Sequence, residues 1–82
     1  MNAVQQVRHL LSELFGHPYE EIGDDTGPGD IPQWDSLGHI QVLEALNERM
    51  DGELPFEQAI EARSVADLAA LLEAFAARRA RP

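Results

Sequence analysis

Asp35, Ser36 and His39 place a carboxylate, a hydroxyl and an imidazole within five positions of one another. These are the residue types of a hydrolytic triad, but the spacing is wrong for one. Asp35 adjoins the serine, and His39 falls on the core side of the helix that the serine opens. No line from acid to base to nucleophile results, and there is no Gly-x-Ser-x-Gly elbow. Catalysis is not expected. Two other tasks remain for the hydroxyl. At the start of a helix, either Ser36 or Asp35 can cap a free backbone N–H. Alternatively, Ser36 carries a covalent phosphate ester, because a helix N-terminus tolerates an anion through its unpaired N–H groups and positive dipole end. Position alone leaves both open. His9, His17 and His39 lack metal-ligand spacing, and Asp24, Asp25 and Asp30 do not fit a calcium loop. No metal site is expected; the aspartates solvate a loop, and His39 reads as a core-edge histidine.

The elements that position the serine follow from apolar spacing. Val4, Val7, Leu11 and Leu14, with Leu10 alongside, mark one face of an amphipathic helix over roughly 2–15. Gly16 and Pro18 stop it. Residues 16–35 hold Gly23, Gly27, Pro28, Gly29 and Pro32 and no sustained period, so they form a long ordered loop with one short turn near 19–22. Loops of this length inside a small domain are often functional. A second helix runs from Ser36 to about Met50, closed by Asp51-Gly52, with Gly52 in the left-handed conformation. On a helical wheel His39, Val42, Leu43, Leu46 and Met50 share the core side, Gln41, Glu44 and Glu48 the opposite side, and Ile40 the border. Leu37 lands among the polar residues. An apolar side chain beside a hydroxyl, with an acidic rim, suits docking. Pro55 begins a short third helix over about 56–62. Ser64 caps a fourth, with Asp67 as capping-box partner, and Val65, Leu68, Leu72 and Phe75 mark its apolar face. Arg78 and Arg79 suit its C-terminal dipole end, and Arg81-Pro82 is expected to fray. The fold class is all-α, a four-helix bundle of three longer helices and a short third one, with a long loop between the first two.

Charge narrows the partners. The chain has 82 residues, no cysteine and no lysine, and a net charge of −9. Residues 1–77 carry fifteen acids against Arg8, Arg49 and Arg63, a net of −12. Such a surface repels nucleic acid and anionic membranes. Charge alone leaves two readings open: it speeds encounter with basic protein sites, or it only keeps a small protein soluble. The absence of cysteine rules out disulfides and thiolate chemistry and fits the cytoplasm. No apolar run reaches membrane-spanning length, and no signal peptide is evident.

Trp34-Asp35-Ser36-Leu37-Gly38-His39-Ile40 at the head of the second helix, together with Ser64-Val65-Ala66-Asp67-Leu68 opening the fourth, resembles the acyl and peptidyl carrier proteins. The resemblance covers nearly the whole chain, as a carrier domain over 1–77 followed by a basic tail over 78–82. It implies that Ser36 receives a 4′-phosphopantetheine arm from coenzyme A through a magnesium-dependent phosphopantetheinyl transferase, and that the arm's thiol holds an acyl or aminoacyl group as a thioester. Asp35 would help the transferase recognise the motif. Leu37, Ile40, Glu44 and Glu48 would lie on the surface read by partners: an adenylating enzyme or acyltransferase that loads the thiol, then downstream pathway enzymes. Trp34 would pack the loop onto the bundle.

The chain departs from carriers of bacterial fatty-acid synthesis, which usually have acids two and five positions after the serine; here these are Gly38 and Gln41. The motif looks more like carriers of polyketide, nonribosomal-peptide or related pathways. A free-standing carrier is expected, because the chain starts at Met1 and ends soon after the fourth helix, although an excised domain would give a similar sequence; a monomer is also expected. The alternative from another class is an unmodified acidic helical adaptor for a basic protein partner. It accounts for the charge and for Leu37, but not for the register of the serine.

Overall fold

The computed structural model describes residues 2–79; Met1 and residues 80–82, with the expected fraying at Arg81-Pro82, lie outside them. Helix α1 (Ala3–Phe15) starts on a reciprocal cap: Asn2 Oδ1 accepts from the Gln5 N–H at 2.8 Å, and Gln5 Oε1 accepts from the Asn2 N–H at 3.1 Å. It stops at Gly16, whose φ of 63° is left-handed. Val7, Leu10, Leu11 and Phe15 form its buried face. Leu14 is 40% exposed, which corrects the end of the expected stripe. The i, i+4 steps from Val7 through Leu11 reach Phe15, and Leu14 is left at the border.

Helix α2 (Ser36–Arg49) buries His39, Val42, Leu43 and Leu46, and Met50 is buried just past its end. The wheel drawn from sequence therefore matches the observed core face. The chain turns away through Asp51 and Gly52, with φ values of 56° and 81°, and Asn47 holds the turn by accepting from the Gly52 N–H at its carbonyl and from the Leu54 N–H at Oδ1.

Helix α3 (Phe56–Ala59) is a single turn, shorter than the expected 56–62, with Pro55 at its cap position rather than inside it. Helix α4 (Val65–Arg79) packs chiefly against α1, and α3 packs against α4. Val65, Leu68, Ala69 and Phe75 are buried, with Leu72 half-buried. Its helical residues include Arg78 and Arg79. Ser64 Oγ accepts from the Asp67 N–H at 3.1 Å, as expected of a cap. The reciprocal bond differs: Asp67 Oδ2 accepts from the Arg63 N–H at 2.8 Å, one residue further back. The described residues contain four α-helices and no strand, so the chain is an all-helical bundle.

The long loop between α1 and α2 is built, not slack. After a 3-10 turn at Tyr19–Glu21 come two self-closed turns. In the first, the Gly23 N–H donates to Thr26 Oγ1 and the Thr26 N–H to the Gly23 carbonyl; in the second, the Gly27 N–H donates to Asp30 Oδ2 and the Asp30 N–H to the Gly27 carbonyl. Ile22, Ile31 and Trp34 anchor the loop as fully buried pegs. The loop also satisfies the start of α4: the carbonyls of Thr26 and Asp24 accept from the N–H groups of Val65 and Ala66 at 2.8 and 2.9 Å.

Gly27 allows that close approach. A Cβ there would lie 2.0 Å from the Arg63 carbonyl oxygen, whereas one at Gly23 meets nothing nearer than 3.4 Å. Gly27→Ala is therefore expected to cost about 1–3 kcal/mol in urea unfolding, as overpacking against backbone does, and Gly23→Ala to stay near neutral. Equal effects at the two glycines would show that this seam is not under steric control.

Candidate functional site

The start of α2 resolves which residue caps it. Asp35 is extended, with φ −99° and ψ −162°, and its Oδ1 accepts from the Gly38 N–H at 2.8 Å. Ser36 is the first helical residue. Its side chain is exposed and its hydroxyl makes no hydrogen bond among the described residues. The positive end of α2 points toward that oxygen's surroundings, an electrostatic setting that favours a negatively charged substituent. Gly38 keeps the helix start pressed on the preceding loop, since a Cβ there would lie 2.0 Å from the Gln33 carbonyl oxygen.

Beneath the serine, one hydrogen-bonded relay ties three elements together. Trp34, fully buried, donates its indole N–H to His39 Nδ1 at 2.9 Å. With Nδ1 accepting, the imidazole proton sits on Nε2, which donates to the Ala59 carbonyl at 3.0 Å. The Trp34 ring also stacks on His39 and meets Phe15 at a centroid distance of 6.5 Å. Loop, α2 and α3 are thereby joined at the point where the serine emerges. Both His39 nitrogens serve this structural bond chain, and Asp35 serves the helix cap, so neither is arranged to activate Ser36. Among the described residues, no group of three or more His, Asp or Glu side chains could hold a metal ion.

Leu37 is 69% exposed and Ile40 37%, with Glu44 and Glu48 also open to solvent on α2. Sequence reasoning missed two further exposed apolar side chains, Phe56 at 43% and Ile60 at 55%. A helix of one turn is too short to display a period, so nothing in its spacing marked them. Ile60 lines a cleft of about 410 Å³ that also includes Ser36, Asp35 and Arg63.

Residues 5–72 match the family model described as phosphopantetheine attachment site, and the chain belongs to that family. It is a phosphopantetheine-binding carrier protein, in which 4′-phosphopantetheine is attached covalently. A carrier domain of this kind interacts with a phosphopantetheinyl transferase and with pathway enzymes, and the family is generally non-catalytic. The local structure fits the group: an exposed, unbonded hydroxyl lies at a helix start whose cap is supplied by a different residue. When bound, the arm supplies a terminal thiol on a flexible chain. No helix of the described residues is long and apolar enough to cross a membrane.

Proposed function

We propose that Ser36 Oγ is the attachment atom and that the protein is a tether with no chemistry of its own. It shuttles acyl or aminoacyl intermediates between enzymes of a polyketide, nonribosomal-peptide or related pathway. The observation that carries this reading is the division of labour at the start of α2, where Asp35 caps the helix and leaves the neighbouring hydroxyl unbonded. In the active site of a transferase, Ser36 Oγ attacks the pantetheine-side phosphorus of coenzyme A. The Oγ–P bond forms, the pyrophosphate P–O bond breaks, adenosine 3′,5′-bisphosphate leaves, and the hydroxyl proton passes to a base of the transferase. Asp35 contributes to recognition by that enzyme while holding the helix end in place. The test is mass analysis after incubation with coenzyme A and a broad-specificity phosphopantetheinyl transferase. Gain of one phosphopantetheine group supports the carrier; an unchanged mass favours the acidic adaptor.

Tethering raises the effective concentration of cargo at each docked enzyme. Contacts must then be brief, which calls for small interfaces governed by charge and a few apolar anchors. Leu37, Ile40, Glu44 and Glu48 supply such a set on the exposed side of α2. Leu37→Glu is expected to slow transfer by partner enzymes about five- to thirty-fold, the loss of one hot-spot contact, with an unchanged thermal midpoint because Leu37 packs little against the bundle. Normal transfer kinetics in that variant would remove Leu37 from the docking face.

A further inference from the structure

Among residues 1–77 the three arginines have different situations. Arg8 lies 4.0 Å over the Tyr19 ring and donates to the Tyr19 carbonyl at 3.1 Å. Arg49 ends α2, about 20 Å along the helix axis from Ser36 at 1.5 Å per residue. Arg63, in the α3–α4 connection, lines the same cleft as Ser36. Its side chain is exposed, and its guanidinium makes no ion pair among the described residues. Its backbone N–H is already committed to Asp67. The carboxylate lining this cleft is that of Asp35, and the remaining walls include Pro28 and Ile60. An anion on Ser36 would thus sit beside a carboxylate, in a strongly acidic chain, with one cation at hand.

We infer that Arg63 is the counter-ion of the phosphodiester on Ser36, holding the root of the arm over this cleft with the branched pantoyl carbons against Ile60. The inference rests on Ser36 as the attachment atom. A guanidinium presents a planar fork of donors that matches phosphate oxygens, and here it offsets the repulsion from Asp35. The pair is exposed, so it is weak and salt-sensitive. That suits an arm that must leave its resting place whenever a partner docks. Leu37 does not line this cleft, so the resting place and the proposed docking residue are separate.

The experiment uses the full chain, apo and holo, as wild type and as Arg63→Gln, with the mass of each sample measured first. Phosphorus-31 and proton–nitrogen-15 spectra are then recorded from about 0.01 M to about 1 M salt, over which the Debye length falls from roughly 30 Å to 3 Å. The Arg63 Nε–Hε and Ile60 amide resonances are expected to shift between apo and holo at low salt and to return toward their apo positions at high salt. Arg63→Gln is expected to move the phosphorus resonance toward its high-salt position and to lower the population of the arm resting on the cleft about two- to five-fold, as for loss of an exposed ion pair. Identical Arg63 and Ile60 resonances in apo and holo protein, or a phosphorus resonance indifferent to Arg63→Gln, would overturn the inference while leaving Ser36 as the attachment atom. A wild-type sample that never gains the group would overturn both, and the mass alone distinguishes that case.

Discussion

Ser36→Ala is expected to gain no mass from coenzyme A and a phosphopantetheinyl transferase, while wild type gains one phosphopantetheine group, and to unfold at the same or a slightly higher temperature. The two halves of this result have different causes. The loss of modification is complete because alanine has no oxygen from which the phosphoester could form. The fold survives because the hydroxyl makes no hydrogen bond among the described residues and the cap belongs to Asp35. Alanine also has the higher intrinsic propensity in a helix interior, by a few tenths of a kcal/mol, so the substitution is not expected to weaken the helix. Asp35→Ala provides the converse. It removes the acceptor of the Gly38 N–H and is expected to cost about 0.5–2 kcal/mol, as the loss of a helix cap does, with Ser36 still present. Thermal unfolding and mass analysis on the same two samples make the comparison. If Ser36→Ala still acquires the group, the attachment atom lies elsewhere; if it unfolds as readily as Asp35→Ala, the hydroxyl has a structural task that the geometry does not reveal.

The contrast between these neighbours also marks the limit of what sequence discloses here. Positions with a period were legible: each residue placed on the core side of α2 is buried, and Leu37 is exposed among the glutamates. The choice of cap was not, because Asp and Ser are both competent acceptors and stand side by side. The apolar spacing also leaves Leu14 and Phe15 both close to the stripe, and the ring that meets Phe15 is that of Trp34, nineteen residues further along the chain. The seam between loop and α4 joins residues 24–27 to 63–66. Contacts so far apart in sequence leave no periodic trace, and the loop read simply as long and glycine-rich. The cleft that Arg63 shares with Ser36 and the two bonds of His39 were hidden for the same reason. His39 was placed correctly at the core, yet its partners, Trp34 and Ala59, come from two other elements.

Those partners carry the largest expected loss of stability. Trp34→Ala removes a fully buried indole from the junction of loop, α2 and α3. Truncating a buried aromatic side chain costs about 3–5 kcal/mol. A second penalty of about 1–3 kcal/mol falls on His39, whose Nδ1 becomes a buried acceptor with no donor. Small domains have only about 5–15 kcal/mol in total, so the variant is expected to be largely unfolded or to melt far below wild type. Trp34→Phe separates the two contributions. Phenylalanine keeps a ring in the site but has no N–H, so its loss should fall between wild type and alanine. His39→Leu in the Trp34→Phe background removes the orphaned acceptor and tests the coupling, since a broken pair is more costly than an apolar replacement of both partners. It also strips the donor from the Ala59 carbonyl, so any recovery is expected to be partial. Denaturant titrations followed by circular dichroism measure all four proteins without relying on the emission of Trp34, the chain's one tryptophan. A loss below about 0.5 kcal/mol for Trp34→Ala, the size of an ordinary surface change, would mean that the loop before Ser36 is held by its own turns and not by the relay beneath it.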